Sequence, residues 1–225
     1  MIIEKYPYTE IKRVRKEGKR LYDTETGFLP SVTTILERTK PWESVKALNE
    51  WRERVGVEEA ARITKEAANV GTLMHKYLED WCLHDTFERK DNLLHRVAGR
   101  MANTVIKNIE PHLDEVWGTE VNLYYPGLYA GTIDLPGRWK GQEAIMDFKQ
   151  TNKPKKREWI EDYFMQGAAY GNAHNELFGT NIQTVAIFMC SRDCEFQLFE
   201  ITGDEFDEYS KKWAHRVGQF YDLDK

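Results

Sequence analysis

The sequence predicts an α/β protein with helices concentrated in its first half and a sheet in its second, and three observations lead there. Residues 43–55, 58–83 and 91–109 carry apolar side chains at helical spacing. Residues 116–125, 128–135 and 143–149 read as strands, separated by turns at Pro126-Gly127 and Lys140-Gly141. A helix over 157–178, whose Gly167, Ala168, Ala169, Gly171 and Ala173 permit close packing on a sheet, then precedes two more strand-like runs at 183–190 and 194–201. At 225 residues, 41% of them hydrophobic and 12% aromatic, the chain can bury its core as a single domain, with a hairpin and helices in 1–115 and the sheet in 116–225.

Each element has a local reason. Residues 11–29 alternate and turn at Glu17-Gly18 and again near Thr26-Gly27, suggesting a small hairpin. Thr34 and Glu37 have capping-box spacing, and Pro41 breaks the chain ahead of the helix at 43–55. In the 58–83 helix, Leu73, Met74, Tyr77, Leu78, Trp81 and Cys82 fill one broad face and leave His75 and Glu79 at its edge. Leu94, Val97, Met101 and Val105 mark the helix at 91–109. Trp117, Val121 and Leu123 alternate with polar positions, as the first strand of the sheet would. Gly131 permits a sharp bend or the close approach of another group. A last helix starts after Thr202 or Gly203. No apolar run approaches the ~18 residues of a membrane span, and MIIEKYPYTE lacks the order of a signal peptide, so a cytoplasmic protein with no membrane anchor is expected.

The chemistry concentrates in three short strings, GTIDL at 131–135, IMDFK at 145–149 and QGAAY at 166–170. Alternation along a strand puts Asp147 and Lys149 on one face and Phe148 on the other. Asp134 closes a separate apolar segment, so two strands can bring two carboxylates together. Hard oxygen ligands of this kind suit Mg²⁺ or Mn²⁺, and the Lys149 ammonium can sit beside a phosphate and an attacking water. Gln166 and Tyr170, four residues apart, share one helix face with Ala169 and Ala173; a buried glutamine amide needs partners, which either the backbone or a metal site supplies. Glu120, on the same strand as Trp117, Val121 and Leu123, reads from its pattern as a solvent-facing strand acid.

This ordered set resembles the PD-(D/E)XK nuclease superfamily, and within it the RecB-like exonuclease branch. Asp134 matches the strand acid, Asp147 and Lys149 the acid-x-lysine element, and Gln166 with Tyr170 the following helix. GTLMHKYLE at 71–79 matches the upstream helix and supplies His75 and Glu79. LPSVTTIL at 29–36 resembles the opening of phage exonucleases and of the mitochondrial genome maintenance exonucleases, and the likeness runs over about 22–201. The resemblance implies a restriction-endonuclease-like core, a central mixed sheet flanked by helices, with the N-terminal helices as a lid or arch over the cleft. It implies a Mg²⁺- or Mn²⁺-dependent exonuclease acting on DNA that is single-stranded or has free ends, leaving 5′-phosphates, in phage or host recombination and replication. Metal ligands would be Asp134, Asp147, the Phe148 carbonyl, His75 and Glu120, with Glu79 bonded to His75; Lys149, Gln166 and Tyr170 complete the catalytic set. An endonuclease of the same superfamily is the alternative, and a non-catalytic nucleic-acid-binding protein the second.

The net charge of −5 gives no sign of a nucleic-acid partner, but its distribution does. Lys153, Lys155, Lys156 and Arg157 follow Lys149 closely, beside the phosphate that would be cut, and Trp159 can stack a base. A second basic cluster, Lys12, Arg13, Arg15, Lys16, Lys19 and Arg20, fits a solvated surface as well as it fits DNA. Ser31 and Thr33 can touch phosphate at a helix start or simply cap it. Some RecB-like relatives hold an iron-sulfur cluster with four cysteines; this chain has three, Cys82, Cys190 and Cys194, so no cluster is expected.

Overall fold

The computed structural model describes residues 2–16 and 18–223. It opens with an antiparallel meander of β1 (Lys12–Lys16), β2 (Lys19–Thr24) and β3 (Gly27–Pro30), one strand more than the expected hairpin because both turns of the segment are used. Glu17, half of the first predicted turn, lies outside the described residues. Helix α1 (Val32–Arg38) is capped by Ser31, whose Oγ accepts from the Thr34 N–H at 3.0 Å, so the cap sits three residues before the expected one. Helix α2 (Trp42–Val55), expected to belong to a lid, buries none of its residues and runs beside α3 (Val57–His84). The apolar face of α3 packs on α4 (Leu93–Ile109), whose start is capped by the Asn92 side chain.

The remaining strands are β4 (Leu113–Val116), β5 (Val121–Tyr125), β6 (Tyr129–Ile133), β7 (Leu135–Trp139) and β8 (Gln142–Thr151), then, after α5 (Glu161–Phe178), β9 (Thr184–Ser191) and β10 (Phe196–Thr202). Helix α6 (Asp204–Asp222) closes the fold behind Gly203. Five strands form a mixed sheet in the order β10-β9-β8-β7-β4, parallel only between β8 and β9. That sheet flanked by helices is the α/β core the sequence pointed to.

Two expected strands are broken. Residues 116–125 do not form the first strand of the main sheet: Val116 ends β4 there, and 121–125 belong to a separate two-stranded sheet with β6. The cause is Glu120, which adopts a left-handed conformation with φ +50 and donates its N–H to the Asp134 carbonyl at 3.0 Å. Residues 128–135 split at Asp134 in the same way, leaving β6 in the small sheet and β7 in the large one. Both chain crossings thus occur side by side. Helix α5 starts at Glu161, four residues later than expected, because Ile160 leaves helical geometry (φ −123, ψ 21) and isolates Arg157–Trp159 as a single 3-10 turn.

Alternation across the sheet divides the core in two. Ile145, Val185, Ile187 and Met189 face α1, α5 and α6, whereas Ala144, Met146, Phe148, Ala186 and Phe188 face α3 and α4. Cys82, Cys190 and Cys194 are free thiols. No helix among the described residues is long and apolar enough to cross a membrane.

Candidate active site

The alternation that fills the two cores also builds the site. On β8, Asp147 and Lys149 project to the α5 side, and Phe148 projects to the α3–α4 side, where its ring meets that of His75 edge-on with centroids 6.1 Å apart. Strand β7 pairs with β8 only as far as Met146, because the chain before Leu135 has crossed to the small sheet. Asp134, the residue at that crossing, takes over the freed edge: its Oδ2 accepts the Phe148 N–H at 2.8 Å. A strand residue's N–H and C=O point to the same lateral side, so the Phe148 carbonyl opens toward Asp134 as well.

Three further side chains converge on this edge. His75, from the middle of α3, brings Nδ1 to 3.4 Å from Asp134 Oδ2. Glu120 stands opposite Asp134 across the crossing, and one ligand atom each of His75, Glu120 and Asp134 lie within 4.8 Å of one another, a group that could hold a metal ion. Lys149 forms an ion pair with Asp147. The ammonium meets the buried Oδ2 of Asp147, so the cation that faces this carboxylate is Lys149.

The electrostatics follow from burial and crowding. Burial opposes the charge on Asp134, but His75, Lys149 and the Phe148 N–H outweigh it and hold the carboxyl below its usual range. Asp147 behaves in the opposite way: burial dominates, Asp134 repels, Lys149 offsets only part, and its pKa is pushed up to about 6. Glu120 is exposed, yet it too is raised, by the partial loss of solvent around its carboxyl and then by Asp134. Lys149 and His75 both lose solvation, yet the neighbouring carboxylates raise them, so both favour the charged form. Two carboxyls, Asp147 and Glu120, that are both pushed up by their surroundings and by the charge of Asp134 are what a dication relieves, and the donor set of carboxylates, one imidazole and one carbonyl fits Mg²⁺ or Mn²⁺.

Helix α5 covers the site. Tyr170 is buried against β6, with its hydroxyl 2.5 Å from where a Cβ on Gly131 would stand, so the glycine serves close approach. Gln166 lies half-buried one turn earlier. Tyr163, on the same helix face, was not singled out in the sequence; the Lys149 ammonium lies 5.0 Å from its ring centroid. Its spacing from Gln166 and Tyr170 was a signal available from helical periodicity alone.

Other expected residues lie farther out. Lys153, Lys155 and Lys156 are exposed on the loop after β8, with Trp159 62% exposed beside Lys156. Arg157 is engaged structurally, donating to the Glu200 carbonyl at 2.9 Å and to Glu205 Oε1 at 2.5 Å. Ser31 is buried and its hydroxyl serves the α1 cap, whereas Thr33 is exposed. Glu79 makes no hydrogen bond with His75 among the described residues; it adds to the repulsion that raises Glu120.

The fold, the order Asp134, Asp147, Lys149 along the chain, and the sequence relatives support a nuclease of the PD-(D/E)XK type. No family model matches the chain. Its sequence is similar to that of mitochondrial genome maintenance exonuclease 1 from Mus musculus, 26% identical over 210 residues that cover 88% of this chain and 60% of the relative. The Xenopus tropicalis counterpart is 27% identical over 168 residues, covering 70% of this chain and 46% of the relative. The chain spans about half to three-fifths of the length of these relatives. A solved structure of a candidate exonuclease from Eubacterium rectale aligns with a TM-score of 0.46 at 13% identity, over 67% of this chain and 64% of that one, too loose a likeness to add weight.

Proposed function

We propose that this chain is a divalent-metal-dependent DNA exonuclease that hydrolyses phosphodiester bonds from free ends of single-stranded or processed DNA and leaves 5′-phosphates. The observation that carries the reading is the convergence of His75, Glu120 and Asp134 within 4.8 Å, beside an Asp147–Lys149 ion pair. Asp134, Asp147, His75, Glu120 and the Phe148 carbonyl would hold Mg²⁺ or Mn²⁺. When bound, such an ion lowers the pKa of a coordinated water and neutralises charge on the phosphate oxygens.

The remaining roles belong to the chain. Lys149, kept charged by Asp147 and Asp134, presents its ammonium where negative charge develops on the phosphate and orients the attacking water. Tyr163 shields one side of that ammonium, and Tyr170, pressed on Gly131 one turn from Gln166, closes the α5 side of the site. The exposed Lys153, Lys155 and Lys156 extend a cationic track away from the acids, on which the backbone of the DNA can lie.

The test is digestion of end-labelled single-stranded, blunt duplex and closed circular DNA with Mg²⁺, Mn²⁺ or EDTA, with wild type beside Lys149→Ala. Linear single strands should be degraded only with metal, circles should survive, and the substitution should slow the reaction by about 100-fold or more. Cut circles would replace the exonuclease with an endonuclease. No cleavage with retained binding would reduce the protein to a DNA-binding role.

A further inference from the structure

The small sheet has a second polar step next to the acidic one. Asn122 pairs with Thr132 across β5 and β6, and the Glu120 N–H bond to the Asp134 carbonyl continues that ladder by two residues. Two residues of extended chain span roughly 7 Å. The Asn122–Thr132 pair thus lies two residues along from the Glu120–Asp134 bond, near enough that the Arg13 charge resting on it acts on the Glu120 carboxyl.

A cation from a distant segment sits on this step. Arg13 of β1 donates through Nη2 to Thr132 Oγ1 at 2.7 Å and through Nε to the Tyr22 hydroxyl at 3.1 Å. Its stem is steadied by packing of the guanidinium over the Tyr22 ring, 5.4 Å from the centroid. Asn122 Nδ2 donates to the same Thr132 oxygen at 2.8 Å, which fixes that hydroxyl from the other strand. The anchors of Arg13 are thus neutral oxygens; among the described residues no carboxylate hydrogen-bonds to it, and Glu120 feels its charge across the step. The side chain is exposed, and the rest of its donor fork is left for solvent or a ligand. A pre-positioned guanidinium whose hydrogen bonds go to neutral oxygens, at the lip of an acidic site, is suited to an anion that takes its remaining donors.

We infer that Arg13, held by Tyr22 and Thr132, binds the backbone phosphate adjacent to the one engaged at His75, Glu120 and Asp134. Successive phosphates of an extended single strand are separated by a distance of the same order as one pleat step, so one nucleotide spans the two positions. This rests on the nuclease reading above, since it presumes a phosphate at the carboxylate group. The bland alternative is a clasp that only fastens the β1–β3 meander to the small sheet.

The two roles separate in a binding experiment that needs no turnover. Affinity for a labelled single-stranded oligonucleotide is measured in Ca²⁺ across a salt series for wild type, Arg13→Gln, Arg13→Lys and, as a control on the exposed surface of α4, Lys107→Gln. Arg13→Gln should weaken binding about 10- to 100-fold and lower the slope of log affinity against log salt by about 0.7. Arg13→Lys should keep the slope and lose part of the affinity, and Lys107→Gln should match wild type. Replacing the one adjacent phosphate by a neutral methylphosphonate should weaken wild type and leave Arg13→Gln unaffected. A lower melting temperature for Arg13→Gln with an unchanged slope would overturn the proposal, as would the absence of salt-dependent binding by wild type. A changed slope in a protein that cleaves nothing would retain the phosphate contact while removing the exonuclease reading; cleavage without an Arg13 effect would do the reverse.

Discussion

At Gly131 the backbone of β6 and the hydroxyl of Tyr170 approach so closely that no side chain fits between them. A Cβ there would meet the Tyr170 hydroxyl at 2.5 Å and its ring edge at 2.7 Å, and the buried tyrosine has little room to retreat. Gly131→Ala should cost about 1–3 kcal/mol in denaturant unfolding. Tyr170→Phe, which removes the nearer of the two atoms, should recover part of that loss in the double variant, and strict additivity would show that the two residues do not press on each other. This residue illustrates what was legible in the sequence. Strand alternation alone put Asp147 and Lys149 on one face, and the glycine before Asp134 announced a close approach. It could not say to what, because the partner lies on a helix beyond the next strand. Glu120 was legible as a residue type, but its left-handed turn was not, since glutamate has no preference that announces φ +50.

Among the elements, the helices were read most nearly as they stand, and the strands were read as too few and too long. Alternating apolar residues at 116–125 and 128–135 satisfy either one strand or two, and only the crossing at Glu120 and Asp134, a contact between distant residues, decides. The docking of the N-terminal segment on α5 was likewise unreadable. His174 is fully buried there: its Nδ1 lies 2.8 Å from Thr180 Oγ1, whose proton goes to Asn175 Oδ1, so Nδ1 must donate and Nε2 accepts from the Tyr8 hydroxyl at 2.9 Å. Burial first, and the Lys5 charge second, lower its pKa to about 4. In the unfolded chain this imidazole titrates near 6.5. Between those values the unfolded state binds the extra proton, so stability from this group is complete above about pH 6.5 and declines as pH falls toward about 4, by on the order of 3 kcal/mol. His174→Phe should flatten that part of the urea midpoint profile between pH 4 and 7; an unchanged slope would mean that other groups govern it.

On the scale of the whole molecule, the candidate site draws on both cores: His75 comes from the α3–α4 side of the sheet, Lys149 faces α5, which carries Tyr170, and Glu120 and Asp134 stand where the chain passes between the two sheets. Groups contributed by separate elements are assembled only in the folded state, so a cation that binds them must stabilise the fold as a whole. At a hundredfold excess over its Kd, Mg²⁺ or Mn²⁺ should add about 2.7 kcal/mol, a rise in Tm of roughly 5–10 °C for a chain of this size. Function and stability then pull against each other at Glu120, whose charged form is disfavoured by partial desolvation and by the repulsion of Asp134 although the residue is exposed. Glu120→Gln should melt above wild type without metal, because a repelling charge is gone, and should show a smaller rise when metal is added. Asp134→Asn, which disturbs the Phe148 and His75 contacts, should lower Tm without metal and abolish the rise. The opposite signs of these two effects in metal-free buffer separate a carboxylate kept for the cation from one that also holds the strand edge together; if Glu120→Gln also melts lower, Glu120 belongs with the structural carboxylates and His75 and Asp134 remain as the metal pair.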